Sequence, residues 1–66
     1  MKVLLRNPRR EVEVAGPLRV GLLLDQLGIA RESVLVIRGD TLVPADTVLQ
    51  DTDEVEVRPV ISGGDQ

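Results

Sequence analysis

Sixty-six residues are enough for one small core and no more, and that core must be aliphatic, because the chain has no Phe, Trp or Tyr. With no Cys and no His there is no disulfide framework, no zinc finger and no thiol or imidazole for catalysis. A net charge of −3 and the lack of aromatic residues for base stacking argue against direct nucleic-acid binding.

Lys2-Val3-Leu4-Leu5-Arg6 reads as a strand, Asn7-Pro8-Arg9-Arg10 as a turn, and Glu11-Val12-Glu13-Val14 as a second strand with period two. The alternation points Val3, Leu5, Val12 and Val14 inward. Leu4 then projects outward as an apolar residue on an otherwise charged face. Gly16-Pro17 breaks the pattern and leads into a helix over 18–27, with Val20, Leu23, Leu24 and Leu27 forming one apolar stripe and Gly28 placed as a left-handed cap. Gly21 weakens that helix, and close packing against a strand would explain its presence.

Ser33-Val34-Leu35-Val36-Ile37-Arg38 is a β-branched run suited to a strand covered on at least one face. Gly39-Asp40 turns into the short segment Thr41-Leu42-Val43, which Pro44 stops. The polar stretch 45–53 offers Val48 and Leu49 as anchors into the core. Within it, Asp51 and Asp53 read as turn formers rather than metal ligands. Glu54 to Ile61 alternates again, with Val55 and Val57 in and Glu54, Glu56 and Arg58 out. The expected fold is α+β, a mixed sheet of four or five strands with one helix across one face. Residues 1–61 form the domain, and Ser62-Gly63-Gly64-Asp65-Gln66 is expected to be a mobile tail.

No apolar run could span a bilayer, no apolar signal core or cleavage site follows Met1 to Arg6, so secretion is not expected, and the absence of cysteine fits a reducing cytoplasm. Seven of the eight basic residues are Arg, which genome composition explains as readily as function.

The element order, the segment Asp51-Thr52-Asp53-Glu54-Val55-Glu56-Val57 and the ending Pro59-Val60-Ile61-Ser62-Gly63-Gly64 resemble the ubiquitin-like β-grasp sulfur carriers of thiamine, molybdopterin and tRNA 2-thiouridine biosynthesis. The resemblance covers residues 1–64. It implies a protein co-substrate rather than an enzyme. An adenylating enzyme, using ATP and Mg²⁺, would activate Gly64, and a sulfurtransferase or cysteine desulfurase would help convert it to a thiocarboxylate. That sulfur would pass to a biosynthetic enzyme. Gly63 would give clearance in a narrow channel, because a residue without Cβ lets backbone approach closely, and Ser62 and Ile61 would guide the tail. Leu4, Val60 and Arg58 on the solvent face of the sheet would form the partner interface. Asp65 and Gln66 depart from the pattern, since family members usually end at the second glycine; some carriers bear such extensions, and a processing peptidase would then remove them, with a cloning remnant or a member that has lost the chemistry as the rival explanations. Two other classes fit the same residues: a ubiquitin-type modifier joined to lysines through Gly64, and a β-grasp interaction module without tail chemistry.

Overall fold

The computed structural model describes residues 1–6 and 9–60. Lys2–Leu5 (β1) and Arg10–Glu13 (β2) pair antiparallel, with Val3 opposite Val12 and Leu5 opposite Arg10. Arg10 therefore belongs to the strand and not to the turn before it, while Asn7 and Pro8 of that turn lie outside the described residues.

The helix starts two residues later than expected. Leu18–Arg19 (β3) is not helical but pairs antiparallel with Val48–Leu49 (β6) in a separate two-stranded sheet. Helix α1 spans Val20–Leu27. Its first amides are satisfied by that neighbouring segment rather than by a side-chain cap: Val20 N–H donates to the Thr47 carbonyl and Gly21 N–H to the Ala45 carbonyl, both at 2.9 Å. At the other end Gly28 adopts φ 71°, and Ile29 N–H closes onto the Leu24 carbonyl at 2.9 Å, the expected left-handed termination. Gly21 packs against the Arg31 side chain rather than a strand; a Cβ there would lie 2.6 Å from a guanidinium nitrogen.

A 3-10 turn, Arg31–Ser33, precedes Val34–Arg38 (β4), so that strand begins one residue later than the run of β-branched residues. Thr41–Leu42 (β5) and Glu54–Pro59 (β7) complete the five-stranded sheet, ordered β2-β1-β7-β4-β5. Its central pair, β1 and β7, is parallel, with Val3 beside Val55 and Leu5 beside Val57; β4 runs antiparallel to β7. The last strand ends at Pro59, although Val60 N–H still donates to the Ser33 carbonyl at 2.8 Å; Ile61 lies outside the described residues.

Val20, Leu23 and Leu24 of α1 meet Val3, Leu5, Val36, Val55 and Val57 from the inner sheet face in one cluster, joined by Met1, Val43 and Leu49. Of the two anchors expected in 45–53, Leu49 is fully buried, but Val48 is exposed, because the β3–β6 pairing turns its side chain outward. The strand pairs and core residues described lie within residues 1–60, so a chain ending at Gly64 retains the whole described fold.

Candidate functional site

The outer face of the sheet is built from the residues that alternate with the core. Across the strands, Glu11, Leu4, Glu56, Ile37 and Leu42 lie in register on that face. One step towards the end of β7, Arg58 faces Leu35. Val60 continues the same alternation diagonal to Leu35. Leu35, Leu42 and Val60 expose 44%, 59% and 43% of their surface. Three large aliphatics exposed on one face make a patch rather than scattered surface residues.

This face differs from the expectation of charge around a single leucine. Its β4–β5 side is apolar, formed by Leu35, Ile37 and Leu42, which no sequence pattern marks as part of it. The four successive apolar residues Val34 to Ile37 show no alternation and the two residues of β5 carry no period, so the sequence alone does not say which of them face water. Leu4 is half-buried between Glu11 and Glu56, beside a shallow depression of about 170 Å³ that Lys2 and Glu54 also line. Leu4 and Val60 are therefore not contiguous: the Glu56–Arg58 pair stands between them, and the apolar neighbours of Arg58 come from β4.

Glu56 organises the centre. Its Oε2 accepts from Arg58 Nε at 2.8 Å and from Arg6 Nε at 3.0 Å, with Arg6 Nη2 at 2.9 Å. The Arg58 hydrogen bond, reinforced by Arg6, holds the Glu56 carboxyl below its ordinary range. One carboxylate thus fixes two guanidinium groups at the root of the segment leading to Gly64.

The acidic residues of 51–53 are committed to loop structure. Asp53 Oδ2 accepts from the Gln50 amide at 2.7 Å, as a turn former does, and Asp51 Oδ1 accepts from the Gly16 amide at 2.9 Å. Among the described residues no three acidic side chains converge on a point that could hold a metal ion. No described helix is long and apolar enough to cross a membrane.

The expected tail residues Ile61, Ser62, Gly63 and Gly64, and the extension Asp65-Gln66, lie outside the described residues. What the fold establishes is their point of departure: Val60, at the rim of the outer face, beside the Glu56–Arg58–Arg6 cluster.

Comparison with known proteins agrees with this architecture. The ThiS family model matches residues 3–64, ending at the second glycine. The chain is 40% identical over 65 residues to the sulfur carrier protein TtuB of Thermus thermophilus, an alignment covering 97% of this chain and 100% of that relative. The chain belongs to the ThiS family of ubiquitin-like β-grasp sulfur carriers.

Proposed function

We propose that this carrier is activated at Gly64 and transports sulfur there as a thiocarboxylate, after a peptidase has removed Asp65 and Gln66. The observation that carries the reading is the extent of the family match, which stops at Gly64 and leaves the last two residues beyond it. A folded body cannot enter a nucleotide pocket, whereas a segment ending in two residues without side chains can.

In this reading the Gly64 carboxylate attacks the α-phosphorus of ATP on an adenylating partner, with Mg²⁺ held there, and pyrophosphate leaves. A sulfur nucleophile supplied through a sulfurtransferase or cysteine desulfurase then displaces AMP from the acyl carbon. The thiocarboxylate so formed gives its sulfur to an acceptor enzyme in cofactor biosynthesis or tRNA thiolation in the cytoplasm. The carrier supplies the acyl group, a docking face formed by Leu35, Ile37, Leu42 and Val60, and the oriented Arg58; the catalytic groups belong to its partners. Leu4 contributes at the edge of that face.

The test is direct. The chain ending at Gly64, given the host's adenylating enzyme, ATP, Mg²⁺ and a sulfur donor, should release pyrophosphate and gain one sulfur in place of one oxygen. The full 66-residue chain should do neither until it is trimmed. An unaltered mass for the trimmed chain would overturn the reading.

A further inference from the structure

The strand directions sort the charges along the sheet. Because β1 and β7 are parallel and β2 runs back beside β1, the end of β1, the start of β2 and the end of β7 meet at one edge. Arg6, Arg9, Arg10 and Arg58 gather there, half of the eight basic residues, where the chain departs towards Gly64. The opposite end carries Glu13, Asp40, Asp51, Asp53 and Glu54, with Lys2 and Arg38 among them. Among the described residues, the acids on the arginine side are Glu11, level with Glu56 across β1, Glu56 itself, already held by Arg6 and Arg58, and Glu32 of the 3-10 turn; Arg31 and Asp25 approach one another to 4.0 Å. Arg9 and Arg10 are exposed and make no ion pair among the described residues. Arg6 and Arg10 also flank a groove of about 400 Å³ whose walls include Leu27, Ile29, Val57 and Pro59.

We propose that this arginine collar docks on an acidic rim around the catalytic mouth of the adenylating partner and steers the carrier tail-first into it. The inference rests on the sulfur-carrier reading and adds the partner's chemistry and the orienting force. A carrier of net charge −3 is repelled by an acidic rim in most orientations. Concentrating arginines around the tail root reverses the sign of that force for the single orientation in which Gly64 leads. The groove between Arg6 and Arg10 points to a protein rather than RNA, since arginine beside apolar surface suits a protein interface, whereas single-stranded RNA binding would call for aromatic stacking residues.

The experiment compares the chain ending at Gly64 with its Arg9→Glu/Arg10→Glu variant, and with Arg19→Glu on β3 as a control, in pyrophosphate release by the host's adenylating enzyme. Circular dichroism and urea midpoints first establish that all three fold. At low salt the double variant should lose at least about tenfold in kcat/KM with kcat within about twofold. The deficit should shrink as ionic strength rises and screening shortens the field. Arg19→Glu should match the parent. A double variant with the parent's kcat/KM and salt slope, or one that loses kcat instead, overturns the collar while leaving the carrier reading intact. The same follows if its activation is unchanged but its retention on bulk tRNA is lost, which assigns the arginines to nucleic acid. No activation of the parent overturns both.

Discussion

Asp51 and Gly16, thirty-five residues apart in sequence, are joined by a 2.9 Å hydrogen bond from the Gly16 amide to the Asp51 carboxylate. The N-terminal ammonium group stands 3.5 Å from the same oxygen and donates to the Val14 carbonyl at 2.6 Å. The loop before β3, the first residue and the loop before β7 are thus tied at one point.

That arrangement makes stability depend on acid. The Gly16 hydrogen bond, followed by the ammonium charge, holds the Asp51 carboxyl below its ordinary value of 3.8. A carboxyl depressed in the folded state contributes stability that is present above its unfolded value and lost as pH falls through the folded one. Glu56, lowered chiefly by Arg58, acts in the same direction from 4.5. Urea midpoints should therefore be flat near neutrality and fall below about pH 4. Asp51→Asn, which keeps an acceptor oxygen but not the charge, should lower the neutral midpoint and flatten the acid limb. An acid limb identical to the parent's would show that Asp51 is not coupled to folding.

The two inward-packed glycines should respond oppositely to alanine. At Gly16 a Cβ would lie 2.8 Å from the Asp51 backbone nitrogen, and backbone cannot swing aside. Overpacking of that kind should cost roughly 1–3 kcal/mol. At Gly21 the obstruction is the far end of the Arg31 side chain, which can rotate away while giving up only a 4.0 Å contact with Asp25. Alanine there recovers helix propensity of up to about 1 kcal/mol, so Gly21→Ala should be neutral or stabilising. Thermal melts of the two single variants test the contrast, and a destabilised Gly21→Ala would mean that Arg31 is held more firmly than its exposure suggests.

Leu23 has no exposed surface and sits at the centre of the helix stripe. Truncation to alanine should cost about 2–5 kcal/mol, a large part of what a domain this size has to lose. The urea midpoint should drop accordingly, with the slope unchanged. Exposed Leu22, one residue earlier on the same helix, should tolerate alanine within about 0.5 kcal/mol.

Leu23 also illustrates what could be read beforehand. The helix stripe and the alternation in β1, β2 and β7 were legible because inner and outer positions there differ in chemistry. The β3–β6 pairing was not, since two residues carry no period, and Pro17 before Leu18 reads equally well as a helix start. The partner of Gly21 is a side chain ten residues further on, which no local pattern names. On the outer sheet face, strand parity alone places Arg58 and Val60, while Leu35 and Ile37 are hidden in the apolar run of β4 and Leu42 in the two-residue β5, which carries no period. The arginine cluster was invisible for a different reason. Arg6, Arg9, Arg10 and Arg58 become neighbours only once β1 and β7 are known to be parallel, and in one dimension they read as composition.

The docking face can be tested with a matched pair of exposed leucines. Leu42 exposes 59% of its surface on the outer sheet face and Leu22 exposes 50% on the helix. Neither carries core packing, so serine at either position should leave the urea midpoint nearly unchanged. If the adenylating partner covers the sheet, Leu42→Ser should weaken its binding about tenfold, equivalent to roughly 1.4 kcal/mol. Leu35→Ser should do the same, and Leu22→Ser should have no effect. Leu4→Ala should produce a smaller loss, because Glu11 and Glu56 already shield much of that side chain. Titration calorimetry with the partner in the absence of ATP isolates docking from chemistry. Loss of binding in Leu22→Ser with Leu42→Ser unaffected would move the interface to the helix, on the opposite side of the molecule from Arg58.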